Sequence, residues 1–245
     1  MKLTVIGYWG GFPAAGEATS GYLLQKDGFN LLIDCGSGVL SQLQNYIKPD
    51  QLDAVILSHY HADHVADIGV LQYSRYIQSF LADSVPMLPI YAHTLDENGF
   101  ASLTYQQSTQ GIPYNPNETL NIGPFTITFQ KTKHPAVCYA MRITDGEKTF
   151  VYTADTSYIP ELVTFSKGAD LLISECNFYK GMDGSNAGHM NSTDCGRLAA
   201  ESGVLHLLLT HLPHFGETSH LATEAKEVYN GKVELAVSGW TWGLE

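Results

Sequence analysis

The stretch Leu52–Gln72 reads LDAVILSHYHADHVADIGVLQ. Its first part, LDAVILS, is a short apolar run of strand character. Its middle crowds His59, His61, Asp63, His64 and Asp67 directly behind that run. Polar groups at the end of a buried strand are costly unless something binds them. A metal ion explains the crowding, because imidazoles and carboxylates are the N and O ligands that Zn²⁺ takes. The pattern is H-x-H-x-D-H. His59 and His61 lie two positions apart, so in extended chain they point the same way. Asp63 and His64 then open a helix and face a neighbouring point. One short loop can thus serve two ions ~3.5–4 Å apart, a spacing that clamps both the attacking and the leaving oxygen. Asp67, further along, is expected on the helix surface.

The 245 residues suffice for one large domain or two closely fused halves with a sizeable core. A single domain over 1–245 is expected. The apolar runs are too short for a membrane span, and MKLTVIGYWGG reads as a strand and glycine turn rather than a leader. A cytoplasmic location and no membrane partner are the expectations. Cys35, Cys138, Cys176 and Cys195 are far apart and form no CxxC pair, so buried, reduced thiols are expected. The net charge is −12, and no Lys or Arg lies between Arg75 and Lys131, which argues against a general nucleic-acid binder.

Each half of the chain is strand-rich. KLTVIG, SGYLLQKDG and FNLLIDCG come first, with a glycine hairpin at KDGFN. A helix is expected at Gly38–Tyr46, stopped by Pro49, and another over Val65–Phe80 with Ile68, Leu71 and Tyr76 on its apolar face. Residues 96–120 are polar and turn-rich and read as a surface excursion, with a lid or an interface as the alternative. The second half offers FTITFQKTKH, CYAMRITDGEKTFVYTAD with a hairpin at TDGEK, ADLLISEC, VLHLLLTH and KVELAVSG. Helices are expected at Ser192–Ser202 and Thr223–Tyr229. Strands with helices between or after them suggest two sheets packed face to face, helices outside.

More donors stand just past later strands: His134 after FTITFQKTK, Asp155 after KTFVYTA and His211 after VLHLLLT. The ordered series HxHxDH, His, Asp, His resembles the metallo-β-lactamase superfamily along most of the chain. The resemblance implies an α/β (α+β) fold, the four-layer αβ/βα sandwich. It implies that His59, His61 and His134 hold one metal, that Asp63, His64 and His211 hold the other, and that Asp155 bridges. Two Zn²⁺ are expected, with Mn²⁺ or Fe²⁺ as replacements.

VIGYWGGFPAAGEATSGYLL with LLIDCGSG, YTADT, SECNF and GHMNS are similar to segments of the ribonuclease Z (ELAC-like) group. SECNF departs from that group's HEATF in having Ser174 where the histidine stands. The resemblance carries over Glu175 and His189 as the pair that assists the leaving group, with Asp63 as metal ligand and proton acceptor. Asp34 is expected to orient a metal-bound histidine, and Gly36 and Gly38 to let backbone pass close to the site. His93, His206, His214 and His220 are expected outside the chemistry.

The expected activity is therefore a binuclear-zinc phosphodiesterase of ribonuclease Z-like type, acting on an RNA 3′ end or a small phosphodiester such as a cyclic nucleotide. A tRNA-gripping arm would fall between His134 and Asp155, which are only 21 positions apart. Two alternatives remain: a thioesterase or lactonase of the same fold, and a non-catalytic metal-stabilised binding protein. A homodimer is a further expectation, from the habit of relatives.

Overall fold

The computed structural model describes residues 1–81 and 85–244. The chain forms two compact units, one of Met1–Asn115 with the stretch from Val237 onward, the other of Pro116–Ala236. In the first unit, β1 (Lys2–Gly7), β2 (Gly21–Lys26) and β3 (Phe29–Ile33) form an antiparallel meander. Asp27 (φ 51°) and Gly28 (φ 80°) both turn left-handed between β2 and β3. That is the hairpin turn whose twist matches the strands it joins.

The chain continues through α1 (Val39–Leu43), a 3₁₀ turn at Pro49–Gln51, β4 (Ala54–Ile56), α2 (Ala62–Val65), α3 (Ile68–Gln78), β5 (Leu88–Ala92), α4 (Glu97–Ala101) and β6 (Thr109–Pro113). Strands β3 to β6 run parallel. β1 is antiparallel to β2 and β2 to β3, so β1 points the same way as that parallel set. The loops after β1, β3, β4, β5 and β6 therefore leave one edge of the sheet. Leu23, Leu32, Val55, Leu71 and Ile90 are fully buried in one cluster. Burial of each such side chain contributes ~1.5–3 kcal/mol.

The second unit holds β7 (Leu120–Ile122), β8 (Phe125–Lys131), β9 (Tyr139–Thr144), β10 (Thr149–Tyr152), α5 (Glu161–Ser166), β11 (Leu171–Glu175), α6 (Ser192–Ser202), β12 (His206–Thr210), α7 (Ser219–Ala225) and β13 (Lys232–Leu235). β10 to β13 are parallel, and β8 shares their direction through antiparallel β9. The carboxyl ends of β8, β10, β11 and β12 thus share one edge. A last strand, β14 (Thr241–Gly243), pairs antiparallel with β1 in the first unit. Among the described residues each unit has a seven-stranded sheet.

Four expectations need correction. The helix read as Val65–Phe80 is two helices, α2 and α3, broken at Ala66–Asp67. Asp67 is half-buried and tied to the neighbouring segment rather than free on the helix surface: its amide donates to Cys35 O (3.1 Å) and its carboxylate accepts from Leu40 N (2.9 Å). Burial raises its pKa above the usual carboxylate value. The helix read at Thr223–Tyr229 starts earlier, at Ser219, so that Leu221 and Ala225 are buried one turn apart. Residues 96–120 are not a surface excursion. They supply α4 and β6, and β6 pairs parallel with β5 from Leu88↔Thr109 to Ala92↔Pro113. The strand TQGIP escapes a propensity reading because Gly and Pro are tolerated at a sheet edge.

Gly36 passes so close to Asp63 that a Cβ there would lie 2.0 Å from Asp63 O and 2.2 Å from Thr19 Oγ1. Gly69, in α3, has nothing within 4 Å of the same position. Gly69→Ala should therefore raise the thermal midpoint by about 2 °C, through a helix gain of ~0.5–1 kcal/mol. Gly36→Ala should lower it by roughly 5 °C or more. Thermal melts of the two variants check the contrast.

Candidate active site

Asp34 follows β3, is fully buried, and has a left-handed backbone at φ 56°. Its Oδ1 accepts from Ser58 N (2.7 Å), and its Oδ2 accepts from Ser58 Oγ (2.8 Å) and lies 2.8 Å from His64 Nδ1. Because Ser58 Oγ spends its proton on Asp34, it is an acceptor for His59 Nδ1, 3.1 Å away. This network places the Nδ1 protons on His59 and His64 and leaves each Nε2 as the basic, ligating nitrogen. The ring centroids of His59 lie 4.8 Å from His61 and 4.1 Å from His64. His59 and His64 are buried, whereas His61 is exposed. Asp63 opens α2 as expected, and Gly11 N donates to its Oδ2 at 2.8 Å. This unit thus gathers His59, His61, Asp63 and His64 at the carboxyl end of β4.

The second unit gathers the other donors on its own sheet edge. Asp155 is 2% exposed, and its Oδ2 lies 3.3 Å from His211 Nε2 and 3.9 Å from His134 Nε2. His134 Nδ1 donates to Gly188 O (3.1 Å), so its Nε2 is again the basic nitrogen. Ala154 (φ 49°) and His211 (φ 53°) are held left-handed beside these donors. Asn177 Nδ2 fixes the His211 carbonyl at 3.0 Å. Imidazole nitrogens and carboxylate oxygens are a donor set that fits divalent first-row cations. The four cysteines are free and buried, as expected.

Glu175 ends β11 fully buried. Its Oε1 accepts from Thr156 N (2.9 Å) and lies 2.8 Å from His189 Nδ1; its Oε2 accepts from Met190 N (3.2 Å). His189 stacks on His211 with centroids 5.2 Å apart, and its side chain remains 16% exposed. Glu175, His189 and His211 each place a ligand-type atom within 4.8 Å of the others. Loop residues 184–189 approach His134 only because Gly188 is left-handed (φ 82°): a Cβ there would meet His134 Nδ1 at 2.8 Å.

Asp34 makes the contact with His64 Nδ1 expected of a residue that orients a histidine. His93 and His206 are buried and His214 and His220 exposed; His206 lies 2.7 Å from Glu234 and is a sheet-face residue. Sequence reasoning missed Ser58, Gly11, Asn177 and the amides of Thr156 and Met190. Ser58 had one signal, a hydroxyl directly before His59. The others act through backbone groups or contacts distant in sequence, which leave no pattern.

Asp34→Ala would strand the buried Ser58 amide and hydroxyl. It should cost about 2–4 kcal/mol in urea unfolding, against ~1 kcal/mol for Ser58→Ala.

Residues 29–212 match the model of the β-lactamase superfamily domain. "Probable metallo-hydrolase YhfI" of Bacillus subtilis is 60% identical over 242 residues, covering 99% of each chain. The crystal structure of that YhfI superposes with a TM-score of 0.97 over 98% of both chains. A ribonuclease Z of Metallosphaera sedula is 24% identical over 94% of each chain. The structure of the short form of human tRNase Z, 18% identical, shares the fold at a TM-score of 0.78 over the whole of both chains. The chain belongs to the β-lactamase superfamily and has the metallo-β-lactamase fold, as the ordered ligand motifs led one to expect.

Proposed function

We propose that this β-lactamase-superfamily metallo-hydrolase is a binuclear phosphodiesterase. By the ligand order of the superfamily, His59, His61 and His134 would hold one ion, Asp63, His64 and His211 the other, and Asp155 would serve both. Zinc is the proposed ion. When bound, the two cations would polarise the phosphoryl oxygens and supply a water of lowered pKa. Asp63, with one oxygen held by Gly11 N–H, would be placed to orient the attacking water and take up its proton.

The observation that carries the reading is the Glu175–His189 pair at 2.8 Å. A buried carboxylate on Nδ1 stabilises the imidazolium, so His189 Nε2 can carry a proton and give it to a departing alkoxide. A phosphodiester with an alkyl leaving group needs that proton. Between His134 and Asp155 the chain builds only β9, the hairpin at Asp145–Gly146 and β10, closed at Thr144↔Thr149. Together with the net charge of −12, this favours a small diester, such as a cyclic nucleotide or short RNA, over a whole tRNA. The likeness to ribonuclease Z of Metallosphaera sedula supports the reaction class.

Zinc- or manganese-loaded protein should hydrolyse bis(p-nitrophenyl) phosphate, and Asp63→Ala should abolish turnover and reduce the metal content. His189→Ala should keep its metals. It should lose about 10²–10⁴-fold on an RNA dinucleotide and far less on the p-nitrophenyl diester, whose leaving group needs no proton. No turnover by either metal-loaded form would move the reading to the thioesterase or lactonase branch. Loss of metal from His189→Ala would overturn the role given to that residue.

A further inference from the structure

The loop of residues 8–20 leaves β1 at the same sheet edge as Asp34 and His59. Its neck is fixed: Tyr8 N and Trp9 N both donate to Ala18 O, at 3.0 and 3.3 Å. The Glu17 carboxylate spans the neck, taking the Tyr8 hydroxyl at 3.0 Å and the Trp9 indole N–H. Its return arm is tied to the neighbouring segment by Gln42 Nε2→Gly16 O (2.7 Å) and Thr19 N→Ser37 O (3.0 Å). At the tip, Gly11 turns left-handed (φ 75°) and Phe12 N donates to Gly10 O (2.9 Å). Gly11 N is the amide that holds Asp63 Oδ2 at 2.8 Å. The next residue, Phe12, is 61% exposed.

A single exposed aromatic residue is ordinary on a protein surface. This one sits on a multiply anchored loop, one residue from the amide that grips the proposed proton acceptor. The loop contains no Lys or Arg, so it has no charge with which to hold a phosphate. Its one carboxylate is spent on Tyr8 and Trp9. What the tip offers a ligand is a flat, uncharged ring. We infer that Phe12 is the stacking platform for a nucleobase flanking the scissile phosphate, and thereby sets a preference for nucleoside diesters over simple ones. This rests on the phosphodiesterase reading above. Base–aromatic stacking tolerates any base, because every base has a π face.

The test uses metal-loaded protein and three diesters sharing one leaving group: the 5′- and 3′-(p-nitrophenyl phosphate) esters of thymidine, and methyl p-nitrophenyl phosphate. Phe12→Ala should lower kcat/KM about 10-fold for at least one thymidine ester, mainly through KM, and leave the methyl ester unchanged. Phe12→Trp should restore it. Equal loss on the methyl ester, or no loss on either thymidine ester, overturns the inference. If the unaltered protein cleaves none of the three, it is the phosphodiesterase reading that fails. Calorimetric titration then reads the platform by itself. Weaker binding of thymidine monophosphate by Phe12→Ala, with inorganic phosphate unaffected, supports it; unchanged binding of the nucleotide overturns it.

Discussion

Two buried carboxylates, Asp34 and Glu175, fix the histidines next to them at the two sheet edges. Asp34 follows a parallel strand of the first unit and Glu175 ends one of the second, and both are fully buried. A buried carboxylate costs several kcal/mol unless its oxygens are hydrogen-bonded. Asp34 is satisfied by the Ser58 amide, the Ser58 hydroxyl and His64; Glu175 by the amides of Thr156 and Met190 and by His189. Each carboxylate therefore needs its histidine as much as the histidine needs it. That mutual need fixes which ring nitrogen carries the proton and which faces outward to do chemistry.

Parallel pairing puts these groups where they can act. Strands that run the same way end at one edge, so loops far apart in sequence gather there, the rule that places ligands at the carboxyl ends of open α/β sheets. The chain accepts strain to complete the edges. Asp34, Ala154 and His211 are non-glycine residues in the left-handed region, each at or beside a candidate site position. Such residues cost about 1–3 kcal/mol each and persist where surrounding bonds over-determine them. Here the bonds are the Asp34 fan and the Asn177 grip on His211, and fully buried strands such as LLISE and HLLLT give those bonds a rigid base.

The division of labour between the carboxylates has a chemical meaning. Asp34 acts on His64 directly and on His59 through Ser58, in the segment that carries the H-x-H-x-D-H motif, where the proposed metal site calls for neutral rings. Glu175 acts on His189, where the proposed phosphodiesterase reading calls for a charged ring as a proton source. The two histidines also differ in exposure: His64 is buried, whereas His189 keeps part of its side chain in solvent.

The sequence by itself determined the donor types, their order and their nearness to strand ends, because metal ligation demands particular side chains at particular spacings. The SHYHADH run, His134, Asp155 and His211 could be read for that reason, as could the hairpins at Asp27–Gly28 and Asp145–Gly146, where turn geometry selects the residues. The break between α2 and α3, the partners of Asp67 and the strand at Thr109–Pro113 were not legible. Each depends on backbone groups that any residue can provide. Only the tertiary structure decided which nitrogen of His59, His64 and His134 is basic. That is settled by a hydrogen bond that Nδ1 donates to partners as distant in sequence as Asp34 is from His64 and Gly188 is from His134, and imidazole has no tautomer of its own choosing until such a bond is made.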